Sequence, residues 1–230
     1  MHLWMKKNGT EYFYDDKWIY AQKANAELFK LAVFDKHLYK LRLWNGIPLL
    51  EIDGVRMHLV KDFHTPLEYP KYIVKKLKIK EKDVALDTCM GLGYTAIACL
   101  GAKQIITCEI NDAVYTLATW NPISSKLFSD KIEIVSGDIF EKIKKFDDAS
   151  FFVILHDPPR FSHAPSLYST SFYKELFRVA KNGARLFHYV GSVGKLKGRN
   201  IADKVKKRLE EIGFKNLKYD KRAQGLFFIK

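Results

Sequence analysis

Four acidic residues, Asp87, Glu109, Asp138 and Asp157, each stand at or just past the end of an apolar run. The runs before them, 84–86, 105–108, 132–135 and 151–155, have the length and aliphatic content of buried strands. Asp87 leads into a turn carrying Gly91 and Gly93, and a helix-like segment follows at 94–100. Strand, acid, glycine turn and helix is the order by which a doubly wound sheet holds a nucleotide-like ligand at the carboxyl edge of its strands. Glycine lets the backbone approach the ligand where a Cβ would collide. A carboxylate at Glu109 can accept from both hydroxyls of a ribose, and one at Asp138 from the amino group of a purine. A carboxylate at Asp87 can face a cation, directly or through water. The glycine turn alone is ambiguous. Residues 91–96 also fit the GxGxxG/A dinucleotide pattern, with Glu109 about the right distance on, or a plain tight turn. Asp138 also fits the N-cap of a helix over 140–145.

A second constellation follows the fourth run: His156, Asp157, Pro158, Pro159, Arg160, Phe161. A carboxylate and the next carbonyl can accept both hydrogens of an exocyclic amine, turning the nitrogen lone pair toward an electrophile. Prolines remove competing N–H donors and stiffen the loop. The plainer reading is a structural turn with an Asp cap. Phe161 can stack on a planar base, and Arg160 can stack or hold a phosphate. His156 alternates to the opposite face, while His188 and Tyr189 end the fifth run near the same edge, as pocket lining or as core. His163 lies in the loop 161–166, a candidate lid. The cysteines, Cys89, Cys99 and Cys108, fall on the first strand-turn-helix-strand unit and read as core. They lack the paired spacing of metal ligands, so no metal is expected. None of them stands near the fourth or fifth run, where the second constellation lies, so a cysteine nucleophile is not expected there.

The elements that must position these residues divide at about residue 66. Residues 1–66 read as a small β-rich subdomain, with alternating runs at 39–43 and 49–59 and hairpin signals at Asn45, Gly46 and Asp53, Gly54. A short helix is expected over 21–32. Residues 67–230 read as a second domain of alternating helices and strands. Helices are expected at 69–77, 94–100, 112–120, 167–181 (closed by Asn182 and Gly183) and 201–212 (closed by Gly213). The fifth strand is 186–190, and a β-hairpin, 214–219 and 225–229, ends the chain. Net charge is +13. Between Lys195 and Arg222 stand eleven Lys/Arg against four acids, and Lys71, Lys75, Lys76, Lys78, Lys80 and Lys82 form another cluster. Strips over 71–82 and 195–208, ending at Arg208, suit a nucleic-acid backbone. In the loop 191–199 the glycines and lysines do not fit a phosphate loop and read as a basic strip. No run approaches a membrane span and the start lacks a signal-peptide core, so a cytoplasmic location without membrane partners is expected.

The residues 87–93, Asp-Thr-Cys-Met-Gly-Leu-Gly, resemble the DxGxGxG motif of Class I S-adenosylmethionine-dependent methyltransferases, with Cys89 in place of the first glycine. Within that class the chain is similar to predicted archaeal methyltransferases of the spermidine synthase superfamily. The shared stretches are DTCMGLGYTAI, HDPPRFS, LYSTSFYKELFRV and LFHYVG, and the likeness covers about residues 47–230. It implies an α/β fold with a mostly parallel seven-stranded, Rossmann-like sheet. It also implies an S-adenosyl-L-methionine site at Asp87, Thr88, Gly91, Gly93, Tyr94, Glu109, Ile110, Asp138, Ile139 and Asp157. The fourth-strand motif resembles the (D/N)PP(Y/F) motif of methyltransferases acting on base amines, and its DPPxF form is similar to some bacterial large-subunit rRNA enzymes. That implies an RNA base amine, in tRNA or rRNA, as substrate, with Asp157, Pro158, Arg160 and Phe161 at the catalytic position. Residues 49–69 are also similar to the N-terminal hairpin of spermidine synthases, which keeps an aminopropyltransferase open. A surplus of +13 and an arginine in the 157–161 loop oppose a polyamine substrate. A non-catalytic nucleic-acid-binding protein on a degenerate enzyme fold is the third reading.

Overall fold

The structure, a computed structural model, describes residues 1–191 and 201–230. Eight strands come first: β1 (His2–Lys7), β2 (Thr10–Tyr14), β3 (Ile19–Lys23), β4 (Phe29–Lys30), β5 (Ala32–Asp35), β6 (His37–Trp44), β7 (Ile47–Ile52) and β8 (Val55–Arg56). Helices and strands then alternate: α1 (Glu68–Leu77), β9 (Val84–Asp87), α2 (Tyr94–Ala98), β10 (Gln104–Glu109), α3 (Asp112–Trp120), β11 (Ile132–Ser136), α4 (Ile139–Lys142) and β12 (Phe151–His156). After these come α5 (Thr170–Val179), β13 (Ala180–Tyr189), α6 (Ile201–Ile212), β14 (Lys215–Asp220) and β15 (Gly225–Ile229). The chain forms two compact units.

The first unit contains Met1–Pro70, Gly91–Tyr94 and Asn111–Ser129. It holds two antiparallel four-stranded sheets, β1-β2-β3-β4 and β5-β6-β7-β8. Asn45 and Gly46, with φ of 46° and 78°, close the β6–β7 hairpin, and Asp53 and Gly54, at 48° and 78°, close β7–β8. Two positive φ values in succession give the turn whose twist matches the paired strands. Asn8 and Gly9 close β1–β2 in the same way. The helix expected over 21–32 is absent: Ala21 pairs with Tyr12 and Phe29 inside a sheet, and Asn25 turns the chain at φ 60°. Ala21 is buried with Ile19 and Leu31, so sheet packing overrides alanine's helical preference. In α3, which packs on β5 and β6, Asn111 caps the first turn by accepting from the Ala113 and Val114 amides.

The second unit contains Lys71–Met90, Thr95–Ile110 and Asp130–Lys230. Its sheet has seven strands in the order β11-β10-β9-β12-β13-β15-β14, parallel except where β15 runs against β13 and β14. This is a Class I methyltransferase, Rossmann-like sheet. The central strands β9 and β12 are apolar because both faces are covered, and Leu86, Ile154, Leu186 and Phe228 join the core beneath α5 and α6. Gly225 lies opposite Tyr189, where a Cβ would stand 2.5 Å from the Phe187 ring and 2.7 Å from the His188 carbonyl oxygen. Only glycine lets β15 approach β13 there. The helix expected to 181 stops at Val179, and Asn182 and Gly183 fall within β13. Its register against β12 jumps from Ala180 opposite Phe151 to Arg185 opposite Val153, and Gly183 with φ 76° absorbs the extra residues. The pair thus supplies a bulge rather than a helix cap.

Candidate active site

Parallel pairing sets the acids in a row. Thr107 of β10 and Leu155 of β12 both stand opposite Asp87, and Glu109 stands opposite Ser136. The strand tips therefore present Asp138, Glu109, Asp87 and Asp157 in sheet order along one carboxyl edge, all within the second unit. The strand order reverses between β9 and β12, and the carboxyl edge at such a switch is where open α/β sheets take ligands. The Gly137 amide donates to the Glu109 carbonyl at 2.8 Å, tying the second and third tips together. Glu109 is half-buried and the next side chain, Ile110, is 66% exposed. Asp138 does cap α4, accepting from the Phe140 amide at 2.9 Å through Oδ1. Ile139, next to it, is buried in the core.

Asp87 is fully buried. Its Oδ2 accepts from the Thr107 hydroxyl at 2.8 Å, while Oδ1 has no hydrogen-bond donor among the described residues. Burial, followed by the Asp157 and Glu109 carboxylates, pushes its pKa up to about 8, against the Thr107 bond that pulls it down. The adjacent Cys89 amide favours the ionised form without bonding to Oδ1. Three acids crowded so that one keeps its proton make a site short of positive charge. A ligand with a cationic end supplies it. Thr107 was legible only as a hydroxyl interrupting the apolar run 105–108.

At the fourth tip Asp157 is half-buried, Pro158 buried, and Pro159, Arg160 and Phe161 exposed. The Phe161 ring is 46% exposed and meets the Tyr168 ring edge-on at 5.6 Å. Arg160 lies near enough to Tyr189 to favour its phenolate, while burial raises that phenol's pKa overall. His156 and His188 are buried, so neither lines a pocket. His163 is exposed, with Ser162 at 3.0 Å. Burial pushes all three thiols up, Cys108 to about 12, which leaves no thiolate nucleophile among them.

Gly91, Gly93 and Tyr94 belong to the first unit. The turn is anchored by the Ser124 hydroxyl, which donates to the Leu92 carbonyl at 2.7 Å. Gly93 has φ 75°, and a Cβ there would stand 2.6 Å from Leu127 Cδ1. Tyr94 directs its side chain inward, donating to the Pro48 carbonyl at 2.8 Å and accepting from Asn121 at 2.9 Å. Thr88, in the second unit, is buried and bonded to His156 at 2.8 Å. Those two side chains are committed to packing.

Lys71, Lys75, Lys76, Lys78, Lys80 and Lys82 are exposed, and Lys76 is paired with Asp220. Of the second strip, 192–200 lies outside the described residues, Lys195, Lys197 and Arg199 included. Lys206 and Lys207 face Glu210 and Glu211 at 3.8 and 3.9 Å, pairs too open and exposed to cancel much charge. Arg208 donates to the Tyr168 carbonyl at 3.0 Å. No helix among the described residues is long and apolar enough to cross a membrane.

The buried groups give the second unit a pH signature. Burial lowers the pKa of His156 to about 4 and that of His188 well below 6.5. As pH falls below 6.5 the unfolded chain protonates both rings while the folded chain does not, so stability drops. Asp87 acts oppositely, since the unfolded chain loses its proton above 3.8 and the folded chain holds it to about 8. Two histidines outweigh one carboxyl on the acid side, and above pH 6.5 only Asp87 remains. Through these groups, ligand-free stability should peak near pH 6.5 and fall by roughly 1 kcal/mol at both pH 5 and pH 8.5. Urea midpoints at the three pH values measure this. A midpoint still rising from 6.5 to 8.5 would contradict the buried neutral Asp87.

Residues 102–224 match the family model for S-adenosyl-L-methionine-dependent methyltransferase. An uncharacterized protein of Methanocaldococcus jannaschii is 45% identical over 218 residues, 94% of this chain and 75% of that protein. Another protein of that organism, provisionally named a ribosomal RNA large subunit methyltransferase, is 27% identical over 131 residues, 56% of this chain and 33% of its own. Among solved structures, spermidine synthase in complex with the transition state analogue AdoDATO shares the fold, with TM-score 0.67 and 15% identity over 97% of this chain and 80% of that one. The crowded acids and the orphaned Asp87 oxygen fit an S-adenosyl cofactor, whose methionine end is cationic. The chain belongs to the S-adenosyl-L-methionine-dependent methyltransferase family and uses S-adenosyl-L-methionine.

Proposed function

We propose that this methyltransferase acts on an amino nitrogen of an RNA base, with tRNA and rRNA as the candidate pools. The observation that carries the reading is the fourth strand tip, where Asp157 is followed by two prolines and an exposed Phe161. Bound S-adenosyl-L-methionine supplies an electrophilic methyl group on a sulfonium. Glu109 holds the ribose hydroxyls, the Asp138 carboxylate meets the purine beside the exposed Ile110, and Asp87 balances the cationic end. The Asp157 carboxylate and the Pro158 carbonyl accept the two amine hydrogens and aim the lone pair. Among the described residues no hydrogen bond uses the Pro158 carbonyl, whereas the Pro159 carbonyl is taken by the Tyr168 hydroxyl. Phe161 offers a face for the base, and Arg160 reaches a phosphate. The relative named for ribosomal RNA supports an RNA substrate.

The test is transfer of tritium from methyl-labelled S-adenosyl-L-methionine into unmodified RNA, protein and polyamine pools. Label in an RNA base amine is expected. Label confined to protein, or aminopropyl transfer to putrescine from the decarboxylated cofactor, would overturn the reading. The exposed lysines of 71–82 and the strip beyond residue 195 predict that binding releases counterions. RNA affinity should therefore fall at least about a hundredfold between 50 and 200 mM salt. A filter-binding titration that stays flat with salt would remove the backbone track.

A further inference from the structure

The reading above uses the turn after β12 but not the buried polar cluster behind it. The His156 Nε2 stands 2.9 Å from the Leu167 carbonyl. A carbonyl only accepts, so Nε2 carries the proton and the bare Nδ1 accepts from the Thr88 hydroxyl at 2.8 Å. The same logic makes His188 the opposite tautomer. Its Nδ1 faces the His156 carbonyl at 3.3 Å and donates, and its Nε2 accepts from the Tyr173 hydroxyl at 2.9 Å. The rings lie 4.4 Å apart, and burial keeps both neutral. The Tyr168 ring stands 5.2 Å from His188, and its hydroxyl donates to the Pro159 carbonyl at 3.0 Å.

The consequence lies in which carbonyls are held. Those of His156 and Pro159 flank the pair Asp157 and Pro158, and each has a buried donor. The Pro158 carbonyl between them has none among the described residues. Beyond the turn, the His163 and Ala164 amides fold back onto the Arg160 carbonyl at 2.8 and 3.2 Å. Two prolines cannot hold their own turn by amide hydrogen bonds, so past the β12–β13 pairing at His156 the Pro159 carbonyl is held by a side chain, and the His188 ring adds a second hold on the His156 carbonyl.

We propose that His188 and Tyr168 are positioning residues, clamping the carbonyls on either side so that the Asp157 carboxylate and the Pro158 carbonyl face one amine. The clamp rests on the amine-methylation reading, and its test has arms that do not. In ¹⁵N-histidine spectra, His188 should be the Nδ1–H tautomer, the less common one in water, and His156 the Nε2–H tautomer. Neither should titrate near pH 6.5. In Tyr168→Phe, which removes one hydroxyl and keeps the ring, the His163 and Ala164 amides should exchange at least tenfold faster. In the methyl-transfer assay on unmodified RNA, Tyr168→Phe and His188→Leu should lose about 10–100-fold in kcat, the scale of a ~1 Å misplacement. Affinity for S-adenosyl-L-methionine and the KM for RNA should stay within threefold. His188→Asn, whose amide reaches the place of Nδ1, should recover most of the rate.

An Nε2–H His188, unchanged exchange in Tyr168→Phe, or a folded His188→Asn as slow as His188→Leu would overturn the clamp. Should the unaltered chain transfer no methyl to RNA, the amine-methylation reading fails by itself. The tautomers and the exchange rates then still decide whether the clamp exists. Should His188→Leu fail to fold, Tyr168→Phe carries the kinetic arm.

Discussion

Glu109→Ala is expected to weaken S-adenosyl-L-methionine binding by two to four orders of magnitude while leaving the protein folded. Glu109 ends β10 one strand from Asp87, with its carbonyl fixed by the Gly137 amide and its side chain half-buried. A carboxylate accepting from two ribose hydroxyls makes two charge-assisted bonds, each contributing about 1.5–3 kcal/mol. Losing both costs roughly 3–6 kcal/mol, which is the stated range in affinity. Stability should not fall with it, because Glu109 raises the pKa of Asp87 and its removal relieves like-charge crowding. Calorimetric titration with the cofactor, beside a thermal melt, measures both. Affinity within threefold of the unaltered protein would remove Glu109 from the ribose site.

Asp157→Ala should have the complementary effect. Turnover should fall about a thousandfold, as when a group aimed at the reacting atoms is deleted, while cofactor affinity changes only a few-fold. Asp157 also crowds Asp87, so the melting temperature should hold or rise. That separates a lost contact with the reacting amine from a lost fold. Single-turnover transfer to RNA, with the cofactor saturating, is the measurement. An unchanged rate would take Asp157 out of the mechanism, and a matched loss of cofactor affinity would move it to the cofactor site.

Much of the second unit was legible because its signals are local. An apolar run ending in an acid marks a strand tip wherever it occurs, and parallel strands put successive tips on one edge. Gly213 after α6 is a cap that acts within a few residues. Errors came where a local signal met a distant partner. Residues 21–32 had helical composition, but their pairing with β2 and β4 decided for strand. Asn182 and Gly183 looked like a helix end, but pairing of β13 with β12 and the Lys230 backbone made them a bulge.

Residue order by itself determined the acids at the strand tips, the proline-stiffened turn and the family likeness, because each rests on neighbours within about ten positions. Tertiary structure alone decided that Asp87 is buried and holds its proton, and that Tyr94 and Thr88 turn inward. It alone set two neutral histidines behind Asp157, in opposite tautomers. The physical reason is desolvation. Whether a carboxyl or an imidazole carries charge depends on what surrounds it in space, and those surroundings come from strands and helices distant in the chain, as with Thr88 and His156, 68 residues apart.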